Sequence, residues 1–191
     1  MSDTAAIRDI LDFWFLPLGD PGYGKSRDIW WDSTPEHDTE IRQRFGGLLD
    51  KAVAGDLDHW ARSPDGALAL IVLCDQFARN VHRRTAKAFG GDAKALATAR
   101  LALARGYPLV YPDDVRLFFY MPLQHSEDLA DQEFCCIVFA SIRDGQYAQD
   151  ATNHRDIVAQ FGRFPHRNEV LGRTSTAAEL DYLKTAKRFG Q

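Results

Sequence analysis

The 191-residue sequence predicts an all-α protein, on three observations. Apolar residues recur at helical spacing through most of the chain. No segment sustains the alternation of a strand. Capping and stop residues stand at the ends of the periodic runs. Turns this short fold consecutive helices back on one another, so the expected architecture is a stack of antiparallel helical hairpins forming one domain over residues 1–191. The pairs recur at loosely repeat-like intervals, without an internal sequence repeat.

Ile7, Ile10, Leu11 and Trp14 mark a first helix over about Thr4 to Phe15, ended by Pro17 and Gly19. PLGDPGYGKSRDIWWDS then reads as a loop, pinned to the body by Trp30 and Trp31. Ser33 and Glu36 have capping-box spacing, with Pro35 in the first turn, for a helix that runs to about Ala54 and stops at Gly55. Ser63-Pro64 opens the next helix, through ALALIVLCDQFARN. Asp92 is positioned to cap a helix ending at Gly106, and Asp113 or Asp114 to start VRLFFYMPLQHSE, which Pro122 should kink or end. Two more helices are expected over roughly Asp128 to Ile142 and Tyr147 to Phe161. Thr176 and Glu179 form a second capping box for ELDYLKTAKRF.

Composition narrows the function. Hydrophobic content of 45% and charged content of 26% are ordinary for a globular protein. A net charge of −4 argues against a nucleic-acid partner, which usually meets a basic surface. Cys74, Cys135 and Cys136 lie in apolar runs, an odd set that suits buried thiols better than disulfides. The acidic, amphipathic N-terminus is unlike a secretory signal, and no apolar run approaches the ~20 residues of a membrane span. A cytoplasmic protein is therefore expected. There is no H-E-x-x-H, H-x-x-E-H or EF-hand pattern, so neither metal nor cofactor is expected.

Three polar clusters interrupt this pattern. Leu68, Val72, Asp75 and Arg79 share one helix face, so an apolar stripe runs directly into an acid and a base. Asp75 and Arg79 are spaced to pair, as are Gln76 and Asn80. Such groups, once buried, need partners: they belong either to a structural network or to the wall of a pocket. The second cluster is His125-Ser126-Glu127. Imidazole titrates near neutrality and suits acid–base work, whereas Glu127 has the alternative of favouring the start of the following helix. The third is FGRFPHRNEVLGR, where Gly162 and Pro165 turn the chain and Asn168 is placed to cap a short turn ended by Gly172. Arg163, Arg167 and Arg173 then ring a tight loop with His166. An arginine array suits carboxylate or phosphate recognition, and it equally suits neutralising the protein's own Asp75, Glu127 and Asp131.

These motifs, DQF-x-RN, MPL-x-HSE and GRFPHRN, together with ILDFWF, GDLDHW, AFGGD, LGR and ST-x-x-E, resemble the family known as Domain of Unknown Function 924 over nearly the whole chain. The resemblance implies an all-helical, tetratricopeptide-like fold and brings no established reaction. Its signature blocks fall on Asp75, Gln76, Arg79 and Asn80; on His125, Ser126 and Glu127; and on Arg163, His166, Arg167 and Asn168. Ala78 stands where the family pattern leads one to expect proline, and should simply keep the helix regular.

The resulting expectation is a polar pocket between helical hairpins that binds a small anionic molecule. If it is an enzyme, His125 or His166 is the general acid or base, positioned by Glu127 or Asp75. Arg79, Arg163 and Arg167, with Gln76, Asn80 and Asn168, hold the ligand. Two rivals stand beside it: a protein-interaction module with a peptide-holding concave surface, and an internal polar network with no ligand. Oligomeric state is left open by the sequence.

Overall fold

The computed structural model describes residues 2–142 and 145–186, and every regular element among them is helical. In chain order these are α1 (Asp3–Phe15), α2 (Asp28–Trp31), α3 (Pro35–Ala54), α4 (Pro64–Ile71), α5 (Ala78–Val81), α6 (Asp92–Ala104), α7 (Asp113–Gln124), α8 (Leu129–Ala140), α9 (Ala148–Phe161) and α10 (Ala177–Leu183). Short 3₁₀ turns link several of them. No helix among the described residues is long and apolar enough to cross a membrane.

The caps explain most of the boundaries, and where they differ from expectation a competing partner is visible. α3 starts from Thr34, not Ser33, and its capping box closes with His37 instead of Glu36. Ser33 is drawn instead to Asp38 and Asn80. Gly55 does end α3, at φ 95°. Ser63 caps α4, and Thr176 closes a capping box with Glu179 on α10, as expected. The end of the predicted last helix, from residue 187, lies outside the described residues. Asp92 opens α6 without capping it, because its carboxylate turns to two arginines. Nor does Pro122 end α7, which runs on to Gln124 with Leu117 to Gln124 all buried. Packing on both sides outweighs the one backbone bond that proline removes. Trp30 does pin its loop, donating to the Trp14 carbonyl at 2.7 Å, whereas Trp31 stands half exposed.

The core gathers on α4, whose residues from Gly66 to Ile71 are all buried. A helix apolar on every side must be surrounded, and α4 packs against α1, α6 and α7. Trp14, Phe15, Phe77 and Phe118 meet edge to face around it, with ring centroids 5.0–6.0 Å apart. Cys74 and Cys135 are buried here as free thiols, and burial pushes Cys74 up to about 12.

Beyond Ile71 the chain departs from the regular helix predicted across DQFARN. Val72–Phe77 form a π-helical turn before α5 resumes, with helical dihedrals at both joints. A wide turn of this kind re-aims side chains and often marks a working site. Beside it, Gly91 lets the start of α6 approach closely. A Cβ at Gly91 would lie 2.2 Å from the Cys74 carbonyl oxygen, so only glycine fits.

Candidate functional site

The π turn carries Asp75 and Gln76, α5 carries Arg79 and Asn80, and the end of α7 delivers His125. Asp75 has no exposed surface, and its carboxylate is shared. Oδ1 meets His125 Nδ1 at 2.7 Å and Arg79 Nη1 at 3.1 Å, while Oδ2 accepts from Gln76 Nε2. Arg79 Nη1 also donates to the Asp75 carbonyl at 2.6 Å. From the far side Asp92 takes Arg79 in a fork, 2.9 and 3.2 Å, and accepts from Arg167 Nη1 at 3.1 Å. Arg167 is itself 6% exposed, donates to the His125 carbonyl at 3.1 Å, and lies 4.6 and 4.7 Å from the Phe89 and Phe164 ring centres. All three sequence blocks therefore meet in one buried polar network.

Electrostatics follow from burial and pairing. Burial would raise Asp75, but the Arg79 charge and the His125 contact hold its carboxyl far below the usual carboxylate range. Burial lowers His125, only partly opposed by Asp75, so its imidazole is neutral near pH 7. With Nδ1 donating to Asp75, Nε2 is the ring nitrogen left for chemistry. Burial also brings His154 down to about 4, and burial with the Arg167 charge brings His166 to about 3.

An open cleft of about 350 Å³ lies over this network. Gln76, Arg79, Asn80 and His125 line it. So do residues that sequence reasoning missed or left without a role: Arg83, Gln124 and His154, with Trp31 and Met121 as apolar wall. Arg83 is forked onto Asp38 at 2.9 and 3.0 Å, and Asn80 reaches the same carboxylate at 2.8 Å. Gln76 and Asn80 thus do not pair, since the π turn sends Gln76 toward Asp75 and Met121 and Asn80 toward Asp38.

The remaining predicted residues lie elsewhere. Glu127 neither positions His125 nor favours the start of α8. It accepts from the Phe164 backbone at 2.7 Å and from Arg173 at 2.7 and 3.0 Å. Arg163 forks onto Glu179 at 2.7 and 2.9 Å. Asn168 caps no turn: it donates to Ser175 and accepts from Arg173. These contacts clamp the loop before α10 onto the body. Asp131, offered in the sequence as a partner for the motif arginines, is held by Arg100 and Ser126 instead. Of the aromatics near the start of the chain, Trp14, Phe15 and Trp30 are buried in the core.

Asp92 is the principal omission. Its signal was the pair of glycines before it in AFGGD, which permit close approach and so mark the next side chain as one held against a neighbour. Among the described residues no group of His, Cys, Asp and Glu is arranged to hold a metal ion.

No curated protein matches the chain. A solved structure, that of the protein of unknown function ATU0120 from Agrobacterium tumefaciens, is similar over 97% of this chain and 100% of that one, with 37% identity and a TM-score of 0.87. The model of the bacterial proteins of unknown function DUF924 matches residues 10–187. With its signature blocks meeting in one network and that match spanning nearly its whole length, the chain belongs to the DUF924 family.

Proposed function

We propose that the cleft over Asp75 and His125 binds a small anionic molecule and that His125 Nε2 exchanges a proton with it. The observation that carries this reading is the buried Asp75–His125 pair, which fixes one ring nitrogen and leaves the other for the cleft that His125 lines. Arg79 and Arg83 supply fixed positive charge at the wall, and Gln76 and Asn80 supply amides. The charges already balance: Asp38, Asp75 and Asp92 stand against Arg79, Arg83 and Arg167. A further negative charge is therefore best accommodated with a proton on His125.

That coupling gives the test. His125 sits below its ordinary 6.5 in the free protein, and a bound anion raises it. Binding then takes up a proton, and affinity falls as pH rises through the window between the free and bound values. A thermal-shift screen with phosphate, sulfate, nucleotides, sugar phosphates and small carboxylates should find one class that raises the melting temperature. The rise should be larger at pH 6 than at pH 8 and absent in His125→Gln. A shift that survives His125→Gln, or no shift with any anion, refutes the reading.

The second reading is an internal network with no ligand. It is favoured by one fact: every arginine of the motif blocks already meets a carboxylate of the chain. Silence across the whole screen supports it.

A further inference from the structure

Part of the third motif faces a different space. His166 and Pro165 line a second cavity, of about 880 Å³, bounded by the start of the Pro165–Arg167 turn, by α10, and by Arg84 and Phe89. Phe89, whose ring carries the Arg167 guanidinium on the network side, contributes apolar wall here, with Val170, Leu180 and Leu183. Leu180 is 56% exposed, a large apolar side chain beside an open groove.

The charges of this cavity differ in kind from those of the cleft. The arginines of the motif blocks are all engaged by carboxylates, but Arg84 makes no hydrogen bond, ion pair or ring contact among the described residues. Lys184 adds a second cation, paired with Asp181 at 2.9 Å, and Glu169 is the one carboxylate in the lining. His166 is neutral there, so the lining holds two cations to one anion. The Arg84 backbone also sits in the left-handed region, at φ 61°, a conformation that glycine would adopt without cost.

We propose that this cavity binds an amphipathic monocarboxylate, its apolar body against Phe89, Val170, Leu180 and Leu183 and its carboxylate on Arg84. The volume falls in the range of small-molecule sites. A lining that sets Phe89, Val170, Leu180 and Leu183 beside a single uncommitted guanidinium matches one charge on one greasy body better than it matches a phosphate or a sugar. The site shares no lining residue with the cleft, so either can fail alone.

The test is calorimetric titration of the full chain with sodium decanoate below its micellar concentration. One saturable site is expected. Hexanoate, four methylenes shorter, should bind on the order of 100-fold more weakly. Arg84→Glu and Leu180→Asp, both changes at exposed positions, should each weaken decanoate binding at least tenfold. Arg84→Gly should bind equally poorly while melting no lower than the parent, which separates lost binding from lost folding. No saturable heat with decanoate, unchanged affinity in Arg84→Glu, or equal affinity for decylammonium would overturn the proposal.

Discussion

Arg167 offers the sharpest test of what the polar network contributes to stability. Burial lowers its guanidinium from 12.5 to about 10, so it stays charged near pH 7 at a cost. At ~1.4 kcal/mol per pH unit, the charged form carries a net penalty of about 3 kcal/mol. The sign is that of a base with a lowered folded value: the penalty is present at every pH below about 10 and is relieved only above it. Arg167→Met removes that penalty and keeps the stem between Phe89 and Phe164, where a thioether also packs well. Against it, the His125 carbonyl loses its donor, at ~1–3 kcal/mol. Asp92 is not orphaned, because the Arg79 fork remains. The expected result is a chain within about 2 kcal/mol of the parent in urea denaturation followed by tryptophan fluorescence. Arg167→Ala, which also opens a cavity, should lose ~2–4 kcal/mol more, lowering the melting temperature by roughly 2–4 °C per kcal/mol in a chain of this size. A loss of ~3–5 kcal/mol in Arg167→Met, the size seen when a buried pair is broken outright, would refute the reasoning and make Arg167 a keystone of folding.

Other outcomes follow from the same contacts. Asp75→Asn leaves Arg79 and His125 facing an amide in a buried site, and should cost ~3–5 kcal/mol in the same denaturation assay. The Arg163 fork and the Thr176 backbone hold Glu179 at about 2 against an ordinary 4.5. A lowered acid stabilises the fold above its unfolded value and loses that contribution as pH falls. Melting temperature should therefore drop between pH 4.5 and 2, and Glu179→Gln should flatten that slope. Gly91→Ala sets a Cβ against the Cys74 carbonyl and must displace α6, for a loss of at least ~1–3 kcal/mol by thermal melting. A Gly91→Ala chain as stable as the parent would mean that α6 need not approach so closely.

Much of this protein is legible in one dimension. Helices declare themselves through apolar spacing and through caps such as Ser63, Gly55 and Thr176, because both are interactions between residues three or four apart. The polar blocks declare themselves by interrupting that pattern, since a charge in an apolar stripe must find a partner when buried. What no local rule reaches is which partner. Asp75 holds His125, fifty positions away, together with its neighbours Gln76 and Arg79, and Arg167 chose Asp92, seventy-five positions away. Glu127 left its own helix start for Arg173, and Ser33 gave up its cap for Asp38. The π turn at Val72–Phe77 decided between Gln76 pairing with Asn80 and each turning to a separate acid. Sequence alone determined an all-helical chain with three places where charge is buried. Only the packing of α6 and α7 against the π turn decided how those charges pair, because the energy of a buried ion depends on what lies within a few ångströms in space and not on what stands beside it along the chain.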